Sequence, residues 1–302
     1  MKQILLPVLL AFLMISCNAP KPSDKDSSTQ SEASSEIQST PTYSLTEVWR
    51  TDTILLTCES VLYDKGRQTL FVSCINGAPS EKNGTGYISM LNPDGEIKSL
   101  KWVTGLNAPK GMGIDGNRLF VTDIDQLVII DIEKAEVIDR VQVEGASFMN
   151  DIAIDADGTV YFTDSDTGIV SKYINGEITS WITEGLSRPN GLYVEGTRVL
   201  LTSSGSSDLK IIDKSTGTYK VVTTEIGHGD GVEFIGTEGH YLTSSWSGEV
   251  FLIFPDFSKV SLLKTSDQEI NSADIGFNLE SQTVYVPTFF DNRVVAYKLE
   301  KN

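Results

Sequence analysis

From residue 43 onward, apolar and polar positions alternate with the two-residue period of half-buried strands, in short runs separated by turn residues. Six runs, at 70–73, 119–122, 160–163, 199–202, 241–243 and 284–288, each end in a small hydroxyl residue. A further alternating run follows at 169–173, 209–212, 250–253 and 294–297, and then a run marked by Trp102, Trp181, Val222 or Leu263. Turns such as Asn92-Pro93-Asp94-Gly95 and Asp155-Ala156-Asp157-Gly158 punctuate the pattern.

These runs belong to a repeat. The segments Ala108-Pro109-Lys110-Gly111, Phe148-Met149-Asn150-Asp151 and Arg188-Pro189-Asn190-Gly191 are copies of one unit, with weaker copies around Glu59, Asp230 and Asp274. Aligned, they place Glu59, Lys110, Asn150, Asn190, Asp230 and Asp274 in one column, at intervals of 51, 40, 40, 40 and 44 residues. Four short strands in each of six units of about 43 residues predict an all-β fold, a six-bladed β-propeller over 43–302. The sixth unit has only three strands of its own, so the run 43–50, with Trp49 where other units carry Trp102 and Trp181, is expected to supply its outer strand. That closure would remove an exposed sheet edge.

The first 42 residues carry a different pattern. Lys2 precedes an apolar run of twelve residues, 4–15, too short to span a bilayer and typical of a signal segment. The run ends in Leu13-Met14-Ile15-Ser16-Cys17, which resembles a bacterial lipobox and makes residues 1–17 a lipoprotein signal peptide with Cys17 lipidated. An ordinary secretory signal with an incidental cysteine is the alternative. Residues 18–42 are rich in Ser, Thr, Pro and charge, a composition that cannot bury a core and predicts a disordered tether. The expected location is the cell envelope, on the periplasmic side or outer membrane, with the membrane as a partner through the Cys17 anchor.

Charge and cysteine count narrow the chemistry. A net charge of −17 without a Lys/Arg cluster argues against nucleic acid as a partner. Three cysteines and two histidines leave little scope for thiolate or His-rich metal sites, so a metal here must lean on oxygen ligands. Pairing the hairpin symmetrically about Gly66 puts Cys58 opposite Cys74, which allows either a disulfide or two reduced thiols.

In a propeller the innermost strands line a central channel, so the polar column should ring one mouth of it. Carboxylates gathered there are costly without a cation. The chain resembles the gluconolactonase, senescence marker protein (regucalcin) and luciferin-regenerating-enzyme family across essentially all of 43–302. The likeness is carried by Glu59 in Glu-Ser-Val-Leu-Tyr-Asp, Asn150 in Met-Asn-Asp, Asn190 in Arg-Pro-Asn-Gly and Asp230 in Gly-Asp-Gly-Val.

The resemblance implies a divalent cation held by Glu59, Asn190 and Asp230, with Asn150 beside metal and substrate and Asp230 as catalytic base. Oxygen ligands of this kind suit calcium or magnesium, with zinc and manganese as alternatives. The implied function is metal-dependent hydrolysis of a small-molecule lactone. The alternative is a noncatalytic envelope propeller that binds a ligand or protein partner around a structural ion.

Phe148 stands where the family often has a substrate-binding Arg, which points away from sugar-acid lactones. Lys110 is expected either to bind a substrate oxygen or to pair with Asp274, and His228 either to carry protons at the mouth or to sit idle in solvent. The Gly-rich insertion 78–86 is a candidate lid.

Overall fold

The computed structural model describes residues 42–302, so the signal-peptide, tether and Cys17 expectations fall almost entirely outside the described residues. Six four-stranded antiparallel sheets follow one another along the chain. The first blade runs through Cys58–Asp64, Thr69–Cys74, Gly86–Leu91 and Ile97–Leu106, and the next four repeat that order. In the sixth sheet Tyr43–Arg50 pairs with the last strand, Val294–Lys301, and is the outer strand expected from the sequence.

Burial follows the order of strands within a blade. The second strand Thr69–Cys74 is buried along its whole length, whereas the outer strand Glu136–Gln142 is mostly exposed. Apolar side chains pack between blades. Phe71, Ile88 and Val103 of the first blade join Leu119, Val121 and Val128 of the second in one cluster. The seam that closes the ring is built alike, with Val61, Leu70 and Val72 against Tyr285, Val294 and Ala296. Trp49 latches the seam from outside, its indole N–H donating to Pro93 O at 3.1 Å and its ring 5.8 Å from that of Tyr285. Trp102 and Trp181 cover Phe71 and Tyr161 in the same way, each with ring centroids 5.0 Å apart.

The hydroxyl residues that end the second strands join neighbouring blades. Thr122, Thr163 and Thr202 donate to the backbone carbonyls of Asn150, Asn190 and Asp230, the anchor residues of the next blade. Each hydroxyl thereby ties its blade to the inner strand of the next.

Cys58 does face Cys74 across the first hairpin. Of the two states that this pairing allows, the structure has the reduced one, and both thiols are free and buried. The Cys58 thiol donates to Arg293 O in the last blade at 3.0 Å, while Cys74 Sγ lies 3.8 Å from Ser89 Oγ. The two sulfurs have separate partners.

Candidate functional site

Pairing in the innermost strands slips at one place in each of the first five blades. The irregularities fall between Cys58 and Ser60, Pro109 and Met112, Met149 and Ile152, Pro189 and Leu192, and Gly229 and Val232. Each slip contains an anchor residue: Glu59, Lys110, Asn150, Asn190 or Asp230. A bulge frees a residue from the ladder and re-aims its side chain, which here means into the channel mouth.

The five anchors line one cavity of about 420 Å³, together with Phe148, Arg188, His228, Trp246, Phe289 and Phe290. All five are buried. The inner strands approach so closely that a Cβ at Gly191 would lie 2.0 Å from Asp230 O, so only glycine fits beside that anchor.

Asp274 is placed elsewhere. It precedes the short sixth inner strand Gly276–Asn278, where no bulge occurs, and is tied in parallel to the first blade by Asp274 N to Glu59 O and Val61 N to Asp274 O. Its carboxylate accepts from Ser60 Oγ at 2.5 Å and lines a separate cavity of about 360 Å³ with Asp151 and Glu233. The expected sixth member of the ring is therefore a deeper group. The expected Lys110–Asp274 pair does not form either.

Lys110 donates to Ala108 O at 3.1 Å, and its ammonium sits 4.4 Å from the centroid of the Phe148 ring. Burial pulls its pKa down to about 8, opposed by the nearby charge of Glu59. Among the anchors, Asn150 is held by donating from Nδ2 to Ser165 Oγ at 3.1 Å.

Three anchor oxygens have no hydrogen-bond partner although they are buried: Glu59 Oε2, Asn190 Oδ1 and Asp230 Oδ1. Burial raises the carboxyls of Glu59 and Asp230 well above the usual range. Asp230 and Asp274 add to the effect at Glu59, and Asp274 and Asp151 at Asp230. Lys110 opposes it at Glu59, and the neighbouring Asn190 amide at Asp230. Such a set favours whatever brings positive charge to it.

His228 lines the cavity from an exposed position, and the insertion at 78–86 contributes Pro79. Lys82 ties that insertion to Asp125 of the second blade by a 2.5 Å ion pair. Sequence reading missed Arg188, Trp246, Phe289 and Phe290 as site residues. Arg188 carried a signal, since it precedes Asn190 by two residues as Phe148 precedes Asn150 and His228 precedes Asp230. The aromatic three lie in loops between second and third strands, and the 44-residue interval that Trp246 and Phe290 share with Asp230 and Asp274 recurs in two blades only, too little to mark a site.

No protein-family model matches the chain, and no curated protein matches it. Among solved structures it is similar to a catalytically inactive variant of virginiamycin B lyase from Staphylococcus aureus with quinupristin. That match has a TM-score of 0.60 and 14% identity, over 85% of this chain and 99% of that one. A streptogramin B lyase structure matches with a TM-score of 0.62 and 11% identity over 87% and 98% of the two chains. A nidogen/laminin complex matches with 0.62 and 15% over 72% and 84%. At such identities the likeness establishes the architecture, and the chain is a six-bladed β-propeller.

Proposed function

We propose that this protein is a divalent-cation-dependent hydrolase of lactones, of the kind implied by its resemblance to gluconolactonases. The observation that carries the reading is the trio of buried, unpartnered oxygens on Glu59, Asn190 and Asp230. Buried polar atoms are rarely left without a partner, and orphans on two carboxylates and an amide at one channel mouth fit a hard cation. Calcium or magnesium suits this set best, and two carboxylates balance one divalent charge. When bound, such an ion supplies Lewis-acid polarisation of an ester carbonyl and a lowered pKa for water.

The chain's own groups then divide the remaining tasks. Asp230 accepts the proton of the attacking water, the role that the resemblance implies for it. Asn150 keeps its carbonyl and one N–H for the substrate while its other N–H holds Ser165. Lys110 has two ammonium hydrogens beyond its bond to Ala108 for a carbonyl or leaving-group oxygen. His228, exposed at the rim, passes the proton to solvent. Phe148 and the aromatic residues exclude water and favour less polar lactones over sugar-acid lactones. The signal segment and Cys17 support a place in the cell envelope, anchored by lipid.

Assay of the ion-loaded domain against a lactone panel tests the proposal. Asn150→Ala should lower turnover on the order of 100-fold while largely sparing cation affinity, a separation that an ion with only a structural role would not show. Binding of a co-purified ligand in the channel with no hydrolysis of any lactone or ester would instead favour a noncatalytic binding propeller.

A further inference from the structure

The cavity has two unlike walls. On blades two to four stand Lys110, Asn150, Asn190 and Arg188, with Phe148 between two cations, the Arg188 guanidinium 5.7 Å from its centroid. Across the channel, blades five and six offer Trp246, Phe289 and Phe290. Those three rings pack edge to face, with centroids 5.5 Å apart for Trp246 and Phe289, 4.7 Å for Phe289 and Phe290, and 6.1 Å for Trp246 and Phe290. Phe290 is 61% exposed, more than any other large apolar side chain among the described residues.

That exposure is built in. Phe289 adopts a left-handed φ of 50°, a conformation that costs a bulky residue about 1 kcal/mol or more. The turn is fixed by Asp291 N to Thr288 O at 3.1 Å, Asn292 N to Phe289 O at 3.1 Å and Thr57 N to Asn292 Oδ1 at 2.7 Å. Trp246 is pinned through Trp246 N to His228 O at 2.9 Å and Asn271 Nδ2 to Trp246 O at 2.8 Å. A rigid aromatic face that is continuous with the cavity is ready for an apolar group at little ordering cost.

Resting on the lactonase reading, we infer that the substrate carries an apolar side group of aryl or short acyl size, which packs on Trp246, Phe289 and Phe290 while its ester faces Glu59, Asn190 and Asp230. A polyhydroxylated ring would find at most the Trp246 indole N–H as a hydrogen-bond partner among the side chains of this wall and would lose most of its water there. One apolar group in such a pocket is worth on the order of 10- to 100-fold in specificity.

The test compares δ-valerolactone with its phenyl-substituted derivative as substrates of the calcium-loaded domain, and the matching lactams as non-hydrolysed ligands followed by tryptophan fluorescence. The phenyl compounds should lead by about 10-fold or more in kcat/KM and in affinity, and Phe290→Ser should bring both ratios to within about threefold of unity. Exposure of Phe290 means that this variant folds, and melting temperature checks it. Val48→Ser, at a 57%-exposed position on the closing strand, should leave the ratios as they are.

Ratios near unity in the wild type, or ratios unmoved by Phe290→Ser, overturn the inference. A Phe290-dependent dimer with no preference for the phenyl lactam overturns it as well and gives the face to a second copy of the chain. Phe290-dependent preference among the lactams with no hydrolysis of either lactone upholds the aromatic subsite and contradicts the hydrolase reading instead.

Discussion

At Asp230, removing the charge while keeping the shape isolates what the carboxylate does. Asp230→Asn should weaken calcium or magnesium binding by about 100-fold or more, beyond the loss typical of outer-shell partners, as read by calorimetric titration. The ion-free domain should also respond to pH in a defined direction. Burial raises the folded-state pKa of Asp274 to about 7 and raises Glu59 and Asp230 as well, so the folded chain holds protons that the unfolded chain releases near pH 4. Stability is then greatest near and below pH 4 as far as these groups are concerned, and falls as pH rises toward 7, by up to about 1.4 kcal/mol per unit for each such proton. A melting temperature of the ion-free domain that rises over that interval would contradict the assignment, and Asp274→Asn should flatten the slope. The thiols make a third case. Burial pushes Cys58 up to about 12 and raises Cys74 too, so both should resist a thiol reagent at pH 8 in the folded domain and react fully once it is unfolded without reductant.

Among the strands, the innermost ones carry both the architecture and the site, through bulges and close approach. Gly191→Ala would force a Cβ to 2.0 Å from Asp230 O, and neither is the end of a flexible side chain. A loss of about 1–3 kcal/mol in stability is expected, read by denaturant titration, together with weaker cation binding because the strand that carries Asp230 must move. The repeat makes the strands and all five anchors of the cavity legible in the sequence, because a channel-lining polar residue breaks an apolar pattern at a recurring place in each unit. The bulges are not legible there. They depend on how two strands pair, and in the sixth blade the anchor's place falls to Ala273, whose carbonyl accepts from Ser244 Oγ at 2.7 Å, so Asp274 lies one residue further along, at the second cavity. Similarly, register put Cys58 opposite Cys74, but the partners Arg293 and Ser89 that separate their sulfurs come from distant segments. Trp246, Phe289 and Phe290 escape the sequence because their convergence is a property of the closed ring.

For the whole molecule, closure depends on eight residues that sit before the first blade and finish the last. Deleting Tyr43–Arg50 would unpair the edge of Val294–Lys301 and expose the packed Tyr285 beside Trp49, so the shortened domain should aggregate or unfold during size-exclusion chromatography. With the ring closed, five bulged anchors meet at one mouth, and the oxygens left without partners there make the central claim concrete. Its most direct measurement is lactone hydrolysis by the domain stripped with chelator and then titrated with calcium or magnesium, with ion binding followed in the same samples. Activity should vanish on stripping and return in proportion to the filling of one site. Hydrolysis that survives complete stripping, or a filled site with no turnover of any lactone, would contradict it.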